Sequence, residues 1–117
     1  MTDNEKKFEK TSYKPIQRHV HEVIGSVQIA EPGDPHDHRF ATVSGEAIPI
    51  GNGDHIHRVI FRTDFYERHY HQFQGNSSGA IAVGDRHTHY TKAFTTVDDG
   101  HRHRFRVAFL IEDPTGE

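Results

Sequence analysis

Residues 101–111 read HRHRFRVAFLI, and this stretch decides the fold class. Histidine and apolar side chains take every second position in it, while Arg102, Arg104 and Arg106 take positions between them. A period of two is typical of a β-strand that buries one face. We therefore predict a strand that turns its histidines and its apolar residues toward the interior and its arginines toward solvent.

The same His-x-His pattern occurs six times and includes all 12 histidines of the chain. The pairs are His19/His21, His36/His38, His55/His57, His69/His71, His87/His89 and His101/His103. They form three units, and the second pair of each unit continues as His-x-His-x-Phe. Self-similarity of this kind predicts an internal repeat of three β-hairpins, with about six main strands.

The chain of 117 residues is long enough for one modest domain. We expect a polar N-terminal arm at residues 1–18 and a single His-rich β domain at residues 19–114, with repeats at 19–51, 52–84 and 85–114. A lone hairpin is marginal in water, so the three hairpins should pack together. The predicted fold is all-β, a small barrel-like or prism-like sheet with pseudo-threefold symmetry.

Paired histidines on a strand point to metal binding. Residues i and i+2 project from the same face, so each pair directs two imidazoles into one space. The chain has no cysteine, which excludes thiolate ligands and disulfides. The predicted metal ligands are His19, His21, His36, His38, His55, His57, His69, His71, His87, His89, His101 and His103. Neutral imidazole suits zinc, which we favour, with nickel, copper and iron as alternatives.

Carboxylates precede five of the six pairs by one to three residues. They belong to Asp34, Asp54, Glu67, Asp85, and Asp98 or Asp99. A ligating histidine normally donates its second ring N–H to such a group. We expect these carboxylates either to orient the imidazoles or to ligate the metal directly.

The sequence leaves open which pairs meet. If His57 faces His69 and His55 faces His71 in one hairpin, each unit forms its own site of four histidines. If the turns lie directly before the second pairs, the first pairs gather at one end of the domain and the second pairs at the other. Strand register decides between these arrangements.

Charge and hydropathy exclude several partners. The formal net charge of −3 offers no basic excess for nucleic acid. The chain contains no apolar run long enough to cross a membrane, and its start, MTDNEKKFEK, does not resemble a signal peptide. We expect a cytoplasmic protein by default, with leaderless assembly on a cell or spore surface as an alternative. An ordered N-terminal arm would favour a homo-oligomer.

Long segments of the chain resemble one known family. The run HVHEVIGSVQIAEPGDPHDHRFATVSGEAIPIGNGDHIH, then RTDFYERHYHQF, TTVDDGHRHRF and LIEDP, closely resembles the YmaF family of small His-rich bacterial proteins. The resemblance covers roughly residues 17–114. It implies that the His-x-His framework is a family feature, and it carries no assigned activity or catalytic residue.

Metal binding for structure, storage or sequestration is the leading functional hypothesis. A second hypothesis is a self-assembling structural protein, an oligomer or filament whose contacts use the arm and are stabilised by metal. A metal-dependent hydrolase or oxygenase is the third, but no general base stands out, and repetition favours equivalent binding sites over one catalytic site. Because histidines titrate near pH 6.5, a pH-driven switch is a further alternative.

Overall fold

The computed structural model describes residues 2–3, 5–6, 19–30 and 33–113. The chain is all-β in these ranges and has no helix there, which confirms the predicted class. The strands are β1 (Thr2–Asp3), β2 (Glu5–Lys6), β3 (Glu22–Ser26), β4 (Arg39–Val43), β5 (Ala47–Gly51), β6 (Asp54–Arg62), β7 (Gln72–Asn76), β8 (Ile81–Val83), β9 (Arg86–Thr88), β10 (Tyr90–Phe94) and β11 (Arg104–Ala108). β1 and β2 pair in parallel, and the other nine strands form small antiparallel sheets.

Three hairpins form the body of the described domain. They pair β3 with β4, β6 with β7, and β10 with β11, each through five consecutive residue pairs. At the same level of each hairpin a phenylalanine of the second strand lies opposite a residue of the first: Phe40 opposite Gly25, Phe73 opposite Phe61, and Phe105 opposite Ala93. The His-x-His-x-Phe motif therefore sets a common register in all three hairpins.

Three of the nine antiparallel strands lie outside these hairpins. β5 pairs with the first half of β6, and β8 pairs with β9. The β5–β6 connection is Asn52-Gly53, where both residues have positive φ, as a tight hairpin turn requires. The prediction of about six main strands counted two strands for each hairpin and missed these pairings.

Backbone hydrogen bonds also join one hairpin to the next. The amide of Gly45 donates to the Arg58 carbonyl, and the amide of Ser78 donates to the Tyr90 carbonyl. Leu110 returns to the first hairpin by donating to the Glu22 carbonyl. The sheets remain separate between these links, so the described strands do not form the closed barrel that was one predicted form.

The apolar core is small and lies along the inward faces of the hairpins. Its buried members are Val23, Val27, Phe40, Val59, Phe61, Phe105, Val107 and Phe109. Phe40 stacks on Phe61 with ring centroids 4.0 Å apart, and Phe105 contacts both rings edge to face. The inward parity predicted from residues 101–111 holds for Phe105, Val107 and Phe109. Histidines continue this core at both of its ends.

The N-terminal arm and the repeat boundaries stay predictions. The N-terminal arm falls almost entirely outside the described residues, and the repeat boundaries at 19–51, 52–84 and 85–114 remain a prediction. Within the described ranges, no helix is long and apolar enough to span a membrane.

Candidate metal centres

Both histidines of each pair lie within β6 or β9 or close to the end of a strand, and the second histidine of every pair is fully buried. Among the largest fully buried side chains are Phe105, Val23, Val59 and six histidines, the second member of every pair: His21, His38, His57, His71, His89 and His103. The first member of each pair lies nearer the rim. His36, His69 and His101 are buried there, whereas His19, His55 and His87 are partly exposed.

The histidines gather in two groups at opposite ends of the hairpins. The first-pair cluster consists of His19, His21, His55, His57, His87 and His89, whose ligand nitrogens all lie within 4.8 Å of one another. The second-pair cluster consists of two overlapping groups of four and contains His36, His38, His69, His71, His101 and His103. Of the two arrangements left open by the sequence, the structure has the one with first pairs at one end and second pairs at the other.

Nε2 atoms face one another at short range in both clusters. In the first-pair cluster, the Nε2 of His87 lies 2.9 Å from that of His19, 3.1 Å from that of His55 and 3.2 Å from that of His21. In the second-pair cluster, Nε2 distances of 3.1 Å join His38 to His69 and His101 to His103. Neighbouring nitrogens about 3.0 Å apart match an octahedron with metal–nitrogen bonds of about 2.1 Å, whereas a tetrahedron would separate them by about 3.4 Å.

The rings repeat this octahedral pattern. Every imidazole of the first-pair cluster packs edge to face against four of the other five, with centroids 4.5–5.0 Å apart. An octahedral vertex likewise has four neighbours and one opposite partner. Among these six described rings, the pairs without such a contact are His19 with His89, His21 with His55, and His57 with His87. The second-pair cluster has the same pattern, with centroids 4.6–5.3 Å apart.

Backbone carbonyls fix the orientation of the buried rings. The Nδ1–H of His57 donates to the Gly45 carbonyl at 2.7 Å, and that of His103 donates to the Gln28 carbonyl at 2.8 Å. His21, His38, His71 and His89 make the equivalent bond to Leu110, Asp64, Thr96 and Ser78. A carbonyl only accepts, so Nδ1 must hold the proton of the neutral ring. Each Nε2 is then left with a lone pair directed into the cluster.

Burial favours the neutral form of six histidines. Loss of hydration on burial lowers the pKa of His57 to about 3 and that of His103 to about 4, although carbonyls on their Nδ1 atoms act in the opposite direction. The pKa values of His55, His71, His87 and His89 are lowered with the same leading cause. At neutral pH, protons therefore do not supply the positive charge that facing lone pairs require.

The Nε2 atom of His71 shows this need for positive charge most directly. The Nε2 of His71 is buried and has no hydrogen-bond partner within the described residues. The Nε2 atoms around it belong to rings that are likewise acceptors on their inner side. A buried acceptor without a donor is costly, and a transition-metal ion bound by six imidazole nitrogens would satisfy it.

Hydroxyl groups that the sequence analysis missed hold the backbone of four candidate ligands. The Oγ atoms of Ser44 and Ser77 accept from the amides of His21 and His57, respectively. Thr63 and Thr95 do the same for His71 and His103. All four hydroxyl residues are buried. Ser44 and Ser77 follow strands at the first-pair end, and Thr63 and Thr95 precede the turns at the second-pair end. This repeated placement was the sequence signal that could have identified them.

The carboxylates identified in the sequence act less directly than expected. Asp34, Glu67 and Asp99 contribute their backbone carbonyls to the Nδ1 of the histidine two residues later. The Asp54 carboxylate accepts from the amides of His55 and Ala80. Among the described residues, carboxylate oxygens approach ring nitrogens from Asp64 at His38, Asp99 at His69, Asp98 at His71 and Glu112 at His87. Asp64 and Glu112 are distant in sequence from their histidines and were not predicted.

Comparison with known proteins supports the resemblance noted in the sequence. A sequence model of the YmaF family, described as spore germination protein GerY/YamF, matches residues 16–111. The chain belongs to the YmaF family. Residues 16–111 include all six His-x-His pairs and both clusters. Comparison with curated proteins and with solved structures gave no match.

Proposed function

We propose that this YmaF-family protein binds one transition-metal ion in each of its two six-histidine clusters, and that these ions hold the domain together. The observation that carries the proposal is the set of Nε2 atoms facing one another at 2.9–3.2 Å while Nδ1 is occupied by carbonyls. A bound cation turns this repulsive arrangement into a coordination shell.

The energy balance supports the same conclusion. Each buried polar ring without a partner costs about 1–3 kcal/mol, while the net stability of a domain is about 5–15 kcal/mol. Six fully buried histidines would offset much of that stability. The apolar core offers limited compensation, because only eight hydrophobic residues are buried in the described chain. Metal binding to the native state contributes folding free energy instead.

The coordination number favours particular metals. Zinc in structural sites is almost always four-coordinate and tetrahedral, which does not match six converging imidazoles. Nickel(II) and iron(II) accept imidazole, and six-coordinate geometry suits them. We therefore propose an ion that prefers six nitrogen ligands in octahedral geometry. Zinc, which the sequence led us to favour, becomes the less favoured metal.

Six protein ligands also favour a structural or storage role over catalysis. Metal-dependent hydrolysis needs an open coordination position for water. Filling all six positions with histidine leaves none. Spore germination, the process named in the family description, would then use this protein as a metal-held structural or metal-storing component.

We further infer that the three units surround a pseudo-threefold axis through both clusters. The support is the cyclic set of backbone bonds, in which the first hairpin donates to the second, the second to the third and the third to the first. Each unit then contributes one His-x-His pair to each cluster. One ion at either end would tie all three hairpins together.

Native mass spectrometry of the untagged full-length chain tests the proposal. Metal-free protein is titrated with nickel(II), iron(II) under anaerobic conditions, and zinc(II), and its melting temperature is followed in parallel. We expect two ions per chain and a melting temperature that rises with occupancy. Protein that takes up no metal, and melts at the same temperature with and without it, would overturn the proposal.

Two variants test whether metal content depends on the inward histidines and not on the outward residues between them. His71→Ala removes a proposed ligand of the second-pair cluster and should lower the occupancy to one ion per chain, held by the first-pair cluster. Arg102→Ala is the matched control, because Arg102 is exposed between two histidines on the opposite face of the chain. It should retain both ions. Equal metal content in the two variants would contradict the assignment of His71 as a ligand.

Self-assembly is a second candidate function, and a separate observation supports it. The edge strands β5 and β8 carry exposed apolar residues, namely Ile48, Ile50, Ile81 and Val83. Exposed apolar edge strands favour pairing with another chain. Solution mass should therefore rise with concentration, and Ile81→Lys should reduce that rise. A mass that stays monomeric at high concentration would exclude this function and leave metal binding intact.

A further inference from the structure

We propose that the two clusters differ in the rate at which they exchange metal with solution. The second-pair cluster retains its ion, and the first-pair cluster exchanges its ion. This inference rests on the proposed function, since it assumes that both clusters bind metal. It assigns the first-pair cluster as the site whose occupancy follows the surrounding metal concentration. Burial, ring anchoring and neighbouring carboxylates support the difference.

Burial differs between the two ends. All six histidines of the second-pair cluster are buried. The first-pair cluster has three partly exposed members, His19, His55 and His87. An exposed ligand can leave the metal and be replaced by water or by a chelator without opening the core. Release from the first-pair cluster therefore needs only a local motion.

The rim histidines are also anchored differently. At the second-pair end, His36, His69 and His101 each have Nδ1 bonded to a backbone carbonyl two residues earlier. Reciprocal backbone bonds between Tyr66 and His69 close one of these turns, and the turn before His101 is closed in the same way. Each of these rings is thus held by its own backbone.

Two of the three rim histidines of the first-pair cluster, His55 and His87, are anchored without a backbone carbonyl on Nδ1 among the described residues. The Nδ1 of His55 has no hydrogen-bond partner among the residues that the structure describes. The Nδ1 of His87 lies 3.2 Å from one carboxylate oxygen of Glu112, whose other oxygen accepts from the amide of His87. Side-chain anchoring restricts a ring less than a backbone carbonyl in a tight turn.

Carboxylates favour the second-pair cluster as well. Asp64, Asp98 and Asp99 place an oxygen 3.2–3.5 Å from the Nδ1 of three of its histidines. Among the described contacts of the first-pair cluster, Glu112 approaches His87 in this way, whereas the Asp54 carboxylate accepts from the backbone amides of His55 and Ala80. A negative charge this close to an imidazole favours a cation bound to that ring, and loss of a group behind a metal ligand typically costs about 10–100-fold in affinity.

Chelator kinetics test the inference. The full chain is loaded with nickel(II), mixed with excess EDTA, and the release of metal is followed by absorbance. We expect two phases of one ion each, with rates that differ at least about tenfold. Release of both ions in a single phase would overturn the inference. A chain that never binds nickel would instead overturn the proposed function.

Variants assign the phases to the clusters. His55→Ala should remove the fast phase, and Asp99→Asn should accelerate the slow phase about tenfold while every ligand is retained. Asparagine tolerates the positive φ of residue 99, so this variant should fold. Glu112→Gln is the matched control and should leave the slow phase unchanged. Loss of the slow phase in His55→Ala would assign the clusters in reverse and refute the inference.

Discussion

Alternate inward residues of the interior have two different roles. A buried histidine whose Nδ1 bonds a carbonyl presents its Nε2 to a cluster, and the inward residue two positions later packs in the apolar core. Val23 and Val59 show this second role, since both are fully buried core residues. Thr91 occupies the same position two residues after its histidine, but its buried Oγ1 has no hydrogen-bond partner within the described chain.

Replacing this threonine should stabilise the protein. Thr91→Val removes an unsatisfied hydroxyl and keeps the side-chain shape, so the free energy of unfolding should rise by about 1 kcal/mol. Val59→Thr is the reciprocal control and should lower it by a similar amount. Urea denaturation at fixed metal content measures both changes. A Thr91→Val variant that is less stable than the parent would show that the hydroxyl has a partner or a role.

At the scale of elements, the sequence predicted strand type and inward face but not the complete pairing. Period two identified the strands around His101 and the side that they bury. Register was not accessible, because it depends on packing between units. In the second hairpin, the bridge between Tyr66 and His69 puts the turn at Glu67-Arg68, directly before the second pair. This position brings the second pairs together at one end.

The turn at Glu67-Arg68 contains backbone strain that a glycine substitution should relieve. Glu67 and Arg68 have φ of 56° and 65°, and the corresponding residues of the third hairpin are Asp99 at 54° and Gly100 at 80°. Two-residue turns with positive φ at both positions favour glycine. Arg68→Gly should raise the melting temperature, with a gain of about 0.5–1 kcal/mol in the free energy of unfolding.

Gly100→Arg is the matched reversal and should destabilise the third hairpin by a comparable amount. Calorimetry of both variants at equal metal loading measures the effect. If Arg68→Gly were destabilising while Gly100→Arg was neutral, positive φ would not be the property that limits these turns.

For the molecule as a whole, the sequence indicated twelve candidate metal ligands, and it gave their division into two groups as one of two arrangements without deciding between them. Composition excluded thiolate sites, and pairing indicated metal. The number of ions and their coordination depend on how three hairpins meet. The backbone carbonyls and the buried hydroxyls of Ser44, Ser77, Thr63 and Thr95 could not be inferred from residue type alone, because their roles arise from contacts between segments distant in sequence.

Acid should destabilise the whole domain. Burial lowers the folded-state pKa of His57 to about 3 and that of His103 to about 4, whereas in the unfolded chain both titrate near 6.5. Between these values the unfolded chain binds more protons, so the stability present above pH 6.5 is lost as the pH falls. Each group should remove about 1 kcal/mol per pH unit.

Urea denaturation of metal-free protein between pH 7 and pH 4 measures this loss. His57→Gln should show a shallower dependence on pH than the parent protein. A stability that stays constant, or rises, as the pH falls would contradict the neutral state of the buried rings.

Anomalous X-ray diffraction from crystals of the nickel-loaded, full-length chain tests the central claim most directly. The account predicts two anomalous peaks per chain, one in each cluster, each with six histidine Nε2 atoms at about 2.1 Å. Peaks bound by four or fewer histidines and completed by water, or clusters without any peak, would contradict it.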